Sequence, residues 1–242
     1  MKKEQIKVFL SPEATAKSFG DHLMTKLDEA ESDYHCSLSG GSTPKLLFNY
    51  LADHYKEHPK WPFMHFYWGD ERCVPPEHAD SNFKMTNDLL LTKVAIPREN
   101  IHRIKGEEDP DGEAVRYGKE ILRNVPKTSE IPVFDMIILG MGDDGHTASI
   151  FPHQMELLTE DRLCAVAEHP TSGQQRVTLT GKVLNAAREV VFLVTGAAKK
   201  ERIAEIYEKQ LGWEQFPAAY IDPLNGQLFW FVDDAAVSKL SL

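Results

Sequence analysis

Short apolar runs alternate with amphipathic segments along most of the chain. The apolar runs have the length of buried strands and lie at residues 6–10, 34–38, 63–68, 134–139 and 190–195. The segments between them carry apolar residues at helical spacing, and we expect helices at residues 11–27, 43–55, 81–91 and 197–211. This alternation predicts an α/β sheet protein.

The pattern is weaker in other parts of the chain. Residues 106–112 form a polar acidic stretch that predicts a loop with solvated carboxylates, and residues 113–125 fit a surface helix. Candidate strands follow at residues 163–167, 176–179 and 228–232, whereas residues 218–221 are ambiguous. Asp233 or Asp234 is a candidate cap for a terminal helix.

Two helix starts are indicated by residue type. Ser11 before Pro12 is typical of an N-cap and a first helical turn. The second start follows the strand at 34–38 and contains Ser39, Gly40, Gly41, Ser42 and Thr43, with Pro44 next. Its glycines allow a sharp turn, Thr43 can cap the helix and Pro44 suits the first helical position, so free backbone N–H groups would face an anion. A capped turn without a ligand is an equally good interpretation, and the missing Gly-Lys-Thr ending argues against a nucleotide triphosphate.

The size and composition suit a single domain over residues 1–242, with 42% hydrophobic and 26% charged residues. No apolar run approaches the roughly 20 residues of a membrane span. The run at 6–10 is too short for the core of a signal peptide, so we expect a cytoplasmic protein.

The net charge of −10 argues against binding to nucleic acid or to an anionic membrane. A small anionic substrate remains compatible with that charge if a few cations converge locally. Cys36, Cys73 and Cys164 are odd in number and show no paired spacing, so we expect reduced thiols with no disulfide and no zinc site.

Three cations are candidates for such a local site. Arg72 lies just past the third strand, which residues 69–72 close, and Lys199 lies in the first turn of the helix after the strand at 190–195. Both fall at carboxyl ends of strands, where ligands bind in open α/β sheets. Lys199 also opposes the dipole of its own helix, and binding an anion would explain it. Arg176 is the third candidate, although each cation alone is more often a solvated surface charge.

The stretch from Gly140 to His146 combines three glycines, two carboxylates and a histidine directly after an apolar run. It matches the dinucleotide pattern G-x-G-x-x-G, but a pyrophosphate above it would face the carboxylates of Asp143 and Asp144. We therefore expect no nicotinamide or flavin cofactor.

His146 is a candidate general base, because a histidine can accept and return a proton near neutral pH. Asp144, or Asp70 or Glu71 from the neighbouring strand end, could fix its tautomer and stabilise the imidazolium. A metal site would need further ligands at matching spacing, which the sequence does not offer, so no metal is expected. A merely structural histidine inside the loop is the alternative.

Five blocks of sequence together resemble the 6-phosphogluconolactonases of the glucosamine-6-phosphate isomerase/6-phosphogluconolactonase family. The blocks lie at residues 38–44, 68–72, 140–152, 176–178 and 196–199. The resemblance implies hydrolysis of 6-phospho-D-glucono-1,5-lactone to 6-phosphogluconate, a step of the oxidative pentose phosphate pathway, without metal or cofactor. It also implies a three-layer α/β/α fold with a mostly parallel central sheet, shared with glucosamine-6-phosphate deaminases.

The resemblance also implies roles for the candidate residues. His146 would activate water with Asp144 beside it. Ser39, Gly40, Gly41, Ser42, Thr43, Arg72, Arg176 and Lys199 would hold the phosphate and the charge that develops on the lactone. The expected partner is a small phosphorylated sugar lactone, and we expect a monomer because nothing in the sequence demands assembly.

Two other functions are the alternatives. The related deaminases carry a glutamate five residues after the histidine, where this chain has Phe151, and a tyrosine after the Asp-Glu pair, where it has Arg72. Both departures favour the lactonases. A sugar-phosphate sensor without catalysis would be expected to lack His146 or the carboxylates, and this chain keeps them.

Overall fold

The computed structural model describes residues 6–240. The strands, in chain order, are β1 (Ile6–Phe9), β2 (Tyr34–Leu38), β3 (Met64–Trp68), β4 (Asp70–Arg72), β5 (Ile101–His102), β6 (Lys127–Thr128), β7 (Ile131–Pro132), β8 (Met136–Leu139), β9 (Cys164–Glu168), β10 (Gln175–Leu179), β11 (Glu189–Val194) and β12 (Gln227–Asp233). The α-helices are α1 (Pro12–Glu29), α2 (Ser42–His54), α3 (Asn82–Thr86), α4 (Pro110–Asn124), α5 (Gly181–Leu184) and α6 (Lys200–Glu208). A π-helical turn follows α3 at Asn87–Leu91, and short 3₁₀ turns include Pro152–Leu158, Ala197–Lys199 and Pro217–Tyr220.

The central sheet has seven strands in the order β1-β12-β11-β8-β2-β3-β5, and all of its pairings are parallel. Every residue of β8 and β11 is buried, as expected for strands covered on both faces. Helices α1 and α2 pack against each other and against strand β11 of this sheet. The mostly parallel sheet predicted from the sequence is therefore confirmed.

The direction of the chain changes at the middle of this sheet. After β2 the chain crosses to β3 on one side, whereas after β8 it reaches β11 on the other side. The loops that follow β2 and β8 therefore diverge and leave a crevice at the carboxyl ends of two adjacent strands. Such a switch point is where open α/β sheets bind their ligands.

A second, antiparallel sheet has the order β4-β10-β9 and lies next to this crevice. The sequence placed residues 69–72 at the close of the third strand, and the structure shows that Asp70 to Arg72 form a further strand that pairs with β10. The chain leaves the parallel sheet at Gly69, whose N–H donates to Leu38 O while its carbonyl accepts from Leu179 N. The pairing of β4 with β10 joins residues more than a hundred positions apart, so no local sequence pattern indicates it.

Several helix boundaries differ from the prediction. Helix α4 begins at Pro110, because Asp109 caps it by accepting a hydrogen bond from Gly112 N at 2.9 Å. Glu113 on this helix is buried, whereas the carboxylates of the acidic stretch at 106–112 are exposed, as predicted. The expected terminal helix is replaced by turns after β12, where Asp233 Oδ1 accepts from Ala236 N and Gly196 N, both at 2.9 Å. Ser11 caps α1 as predicted. None of the helices within residues 6–240 is both long and apolar enough to cross a membrane.

Candidate active site

A cleft of about 200 Å³ opens at the switch point between β2 and β8. The sequence candidates that line it are Ser39, Gly40, Gly41, Ser42, Thr43, Asp70, Arg72, His146, Arg176 and Lys199. Asp144 lies behind His146. Residues of the second sheet and of the segments after β2, β8 and β11 thus converge on one cavity.

The glycines of the loop after β8 are explained by close packing. A Cβ atom on Gly142 would lie 2.1 Å from His146 Nδ1, so any side chain there would displace the imidazole. Gly145 has a φ of +80°, and a Cβ there would lie 2.8 Å from Phe216. The glycines of the G-x-G-x-x-G match at positions 142 and 145 therefore make room for the loop to fold closely around His146.

His146 Nδ1 and Asp144 Oδ1 lie 2.6 Å apart, and the same carboxylate oxygen accepts the backbone N–H of His146 at 3.1 Å. Burial by itself raises the pKa of Asp144, but the hydrogen bonds and the charge of His146 outweigh it and lower that pKa to about 2. An ionised carboxylate on Nδ1 keeps the proton on that nitrogen and leaves Nε2 to accept one. The pair has the geometry of a general base with an orienting acid.

The other two carboxylates named by the sequence have different partners. Asp70 is buried, accepts the hydroxyl of Ser149 at 2.6 Å and lies 3.9 Å from Arg176 Nη1. Glu71 accepts the backbone N–H groups of Asn82 and Phe83 at 2.8 and 2.7 Å, so it caps α3. Of the three carboxylates, Asp144 is the one that contacts His146.

The loop after β2 leads into helix α2, whose N-terminus has no side-chain cap. Helix α2 begins at Ser42, directly after Gly41 with a φ of +120°, and no side chain within residues 6–240 caps its N-terminus. The predictions for Thr43 and Pro44 are wrong, since both lie inside the first turn. The Thr43 hydroxyl instead bonds that of Thr195 at 2.8 Å and ties α2 to the end of β11. The first-turn amides are left to a ligand or to water.

Two arginines face each other across the antiparallel ladder, because Arg72 on β4 is paired with Arg176 on β10. Like charges directly opposite each other are unfavourable without a counter-charge. Both Nε atoms are buried and have no hydrogen-bond partner within the described residues. Burial lowers the pKa of Arg176 although Asp70 counteracts it, but the guanidinium stays protonated. The arrangement suits a bound anion.

Lys199 ends the 3₁₀ turn before α6, and its Nζ lies 2.5 Å from Asp143 Oδ1. The sequence suggested that Lys199 opposes the dipole of its helix and that a bound anion would explain it. In the structure the lysine has a carboxylate partner, Asp143. It still lines the cleft. The link holds the end of β11 against the loop of His146.

Three further residues belong to the site: Asn82 and Ser149, which were not sequence candidates, and Phe151, which was named only as a departure from the deaminases. Asn82 lines the cleft, donates to Asp70 O at 3.0 Å, and leaves so little room that a Cβ on Gly40 would lie 2.0 Å from its Oδ1. Ser149 bonds Asp70, and Phe151 is fully buried with its ring centroid 4.7 Å from that of His146. Only contacts across the fold reveal Asn82 and Ser149.

No group of three or more His, Cys, Asp or Glu side chains within residues 6–240 is arranged to hold a metal ion.

Comparisons with known proteins give consistent matches over most of the chain. A family model described as "Glucosamine-6-phosphate isomerases/6-phosphogluconolactonase" matches residues 10–230. A 6-phosphogluconolactonase from Haemophilus influenzae is 46% identical over 207 residues, which cover 85% of this chain and 87% of that protein. A crystal structure described as devB protein is 43% identical with a TM-score of 0.93, covering 98% of this chain and 99% of that one. A monomeric glucosamine-6-phosphate deaminase, 17% identical, has a TM-score of 0.80 with coverage of 97% and 99%, which shows a shared fold.

Proposed function

Because the chain belongs to the glucosamine-6-phosphate isomerase/6-phosphogluconolactonase family, we propose that it hydrolyses 6-phospho-D-glucono-1,5-lactone to 6-phosphogluconate. The observation that carries the proposal is one cleft that combines a proton acceptor with an anion site. His146, backed by Asp144, lines it together with the uncapped start of α2 and the paired Arg72 and Arg176. A phosphorylated ester is the class of substrate that uses both.

His146 acts as the general base. Its Nε2 takes a proton from water while the water oxygen attacks the lactone carbonyl carbon. The tetrahedral oxyanion then expels the ring oxygen, which takes the proton back from the imidazolium, and the new carboxylic acid loses its proton to solvent. Asp144 holds Nδ1–H and stabilises the charged imidazolium between the two transfers.

The cations and the helix start divide the negative charge of the substrate between them. The amides at the start of α2, with Ser39, Gly40, Gly41, Ser42 and Thr43, bind the phosphate, and Arg72, Arg176 and Lys199 neutralise the phosphate and the developing oxyanion. The lactone carbonyl is already electrophilic, so positioning and one base are sufficient. We therefore expect the reaction to need no metal and no cofactor.

Phe151 separates this reaction from deamination. Glucosamine-6-phosphate deaminases resemble this chain around the histidine but place a glutamate at this position. Here a fully buried phenyl ring packs on His146 and on the Arg176 guanidinium, whose Cζ is 5.6 Å from its centroid. A phenyl ring cannot exchange a proton, so ring opening of an amino sugar would lack its acid-base group.

The test supplies the purified enzyme with freshly generated 6-phosphogluconolactone and follows 6-phosphogluconate through a coupled dehydrogenase, with spontaneous hydrolysis subtracted. Ammonia release from glucosamine 6-phosphate is measured in parallel. We expect lactone hydrolysis that persists after treatment with a chelator, and no ammonia. Ammonia release without lactone hydrolysis would assign the chain to the deaminase branch, and neither activity would favour a binding protein.

A further inference from the structure

Ser149 carries a fully buried hydroxyl that contacts Asp70 and Arg176, two residues that line the cleft. Its Oγ donates to Asp70 Oδ2 at 2.6 Å, and its backbone N–H donates to Thr178 Oγ1 at 3.1 Å. Asp70 is 5% exposed. A buried carboxylate with one short hydrogen bond depends strongly on that bond, because losing the donor leaves the charge poorly compensated.

The Ser149 hydroxyl lies between this carboxylate and a guanidinium. Arg176 Nη1 donates to Ser149 Oγ at 3.5 Å and is 3.9 Å from Asp70 Oδ2, which is well beyond the roughly 2.8 Å of a direct arginine–carboxylate hydrogen bond. The Nε of Arg176 is buried and has no partner among residues 6–240. The Arg176 guanidinium is therefore close to the Asp70 carboxylate but donates no direct hydrogen bond to it.

The backbone fixes this placement. Ala148, the residue before Ser149, has a φ of +47°, a left-handed conformation that costs a non-glycine residue roughly 1 kcal/mol. Hydrogen bonds between Thr147 and Ile150 in both directions, at 3.3 and 2.9 Å, hold the turn closed. The strained turn lets His146 line the cleft while Ser149 points into the interior three residues later.

We propose that Ser149 is a positioning residue for Arg176. By occupying Asp70 Oδ2, its hydroxyl keeps the guanidinium from closing onto that carboxylate, so the guanidinium N–H groups stay available to the anionic oxygens of a substrate. The inference rests on the proposed function, in which Arg176 binds the phosphorylated lactone.

Ser149→Ala removes the hydroxyl and lets Arg176 move onto Asp70. We expect KM for the lactone to rise about 10- to 100-fold, the effect of losing one or two charge-assisted hydrogen bonds, while kcat changes less than about threefold. The dissociation constant of 6-phosphogluconate, measured by calorimetry, should rise by a similar factor. Ser149→Cys keeps the volume and a weak donor and should give an intermediate KM.

Ser37→Ala is the matched control, because Ser37 on β2 is equally buried and its Oγ has no hydrogen-bond partner in the described residues. It should leave KM and kcat unchanged. A double-mutant cycle identifies the route: if Ser149 acts through Arg176, then Ser149→Ala has no further effect on KM in an Arg176→Ala background.

An unchanged KM in Ser149→Ala with an active wild type, or additive effects in the cycle, would overturn this inference and leave the proposed function intact. A wild type with no lactonase activity would overturn the proposed function instead. If Ser149→Ala fails to fold, the KM of Ser149→Cys decides, and a wild-type value would count against the proposal.

Discussion

A single residue separates Asp144 from His146, and that spacing lets one carboxylate oxygen accept both the backbone and the side-chain N–H of the histidine. Gly145 between them takes a positive φ that lets the chain turn back. The acid and its base are thus joined by a local motif. Their placement at the cleft depends on β8, which presents the loop at the switch point.

We expect His146→Ala to lower kcat by roughly 10²–10⁴-fold with a smaller change in KM, since it removes the proposed proton acceptor rather than the proposed phosphate site. Asp144→Ala should also reduce kcat, because the imidazole loses both its orientation and its counter-charge. Asp144→Asn, which keeps an acceptor oxygen, should lose less. Initial rates with freshly prepared lactone measure all three.

His54→Ala, an exposed histidine at the far end of α2, is the control and should behave as wild type. Near-normal kcat in His146→Ala would exclude His146 as the general base. A wild-type kcat in Asp144→Ala would leave His146 in place but remove the orienting role of the carboxylate.

At the scale of an element, α1 is stabilised at its two ends by residues at very different distances along the chain. Ser11 Oγ accepts Ala14 N at 3.2 Å at the N-terminus, a contact visible in the sequence. At the C-terminus, Lys60 Nζ donates to Leu27 O, Asp28 O and Ala30 O at 3.3, 2.7 and 2.8 Å. The lysine donates to carbonyls at the end of the helix, of which Leu27 O also accepts the backbone N–H of Ala30 at 3.2 Å.

We expect Lys60→Met to destabilise the protein by about 1 kcal/mol, because the methionine keeps an apolar stem but cannot donate to the three carbonyls. For a chain of this length that corresponds to a Tm lower by about 2–4 °C. Urea unfolding and thermal melts measure the change. Lys56→Met, at an exposed lysine four residues earlier, should shift neither, and equal effects of the two substitutions would contradict the capping role.

At the scale of the whole molecule, three histidines gather on β2, β3 and β5, and two of them lie near the amino ends of β2 and β3, away from the cleft. His35 pairs with His65 in the sheet with ring centroids 4.9 Å apart, and His65 Nδ1 lies 3.2 Å from His102 Nε2. Burial lowers the pKa of His35 to about 4, with His65 and His102 adding to the effect while Asp135 and Asp33 oppose it. Tyr67 OH, 3.3 Å from His35 Nδ1, completes its surroundings.

The pKa of His35 in the folded state lies below its value of about 6.5 in the unfolded state. At pH values between about 4 and 6.5, the folded protein therefore binds fewer protons than the unfolded protein. The contribution of His35 to stability is therefore complete above pH 6.5 and is lost as the pH falls toward 4. We expect about 2 kcal/mol of unfolding free energy to be lost by pH 5 from this residue.

His35→Gln should flatten the dependence of the unfolding free energy on pH between 7 and 5, whatever its effect at pH 7. Urea unfolding at several pH values measures the slope for the variant, the wild type and the exposed His54→Gln control. Parallel curves for His35→Gln and wild type would show that another group carries the acid sensitivity.

The sequence by itself determined the elements that depend on local contacts. The apolar runs predicted β1, β2, β3, β8 and β11 but not the short β5, and Ser11 predicted the start of α1. The two-residue spacing of Asp144 and His146 made Asp144 one of three candidate partners of the histidine, and it is the one in contact. Each of these is set by periodicity, capping or a turn within a few residues. The resemblance to a family added the three-layer fold, which the structure confirms, whereas cytoplasmic location and a monomeric state stay predictions.

Only the tertiary structure decided the contacts between distant segments. It paired Arg72 with Arg176, gave Asp70 to Ser149 rather than to His146, supplied Lys199 with Asp143, and turned residues 70–72 into a strand of a second sheet. These contacts join segments far apart in the chain, and their geometry follows from strand order and register. A residue type shows that a carboxylate needs a partner when buried, but the fold selects which partner reaches it.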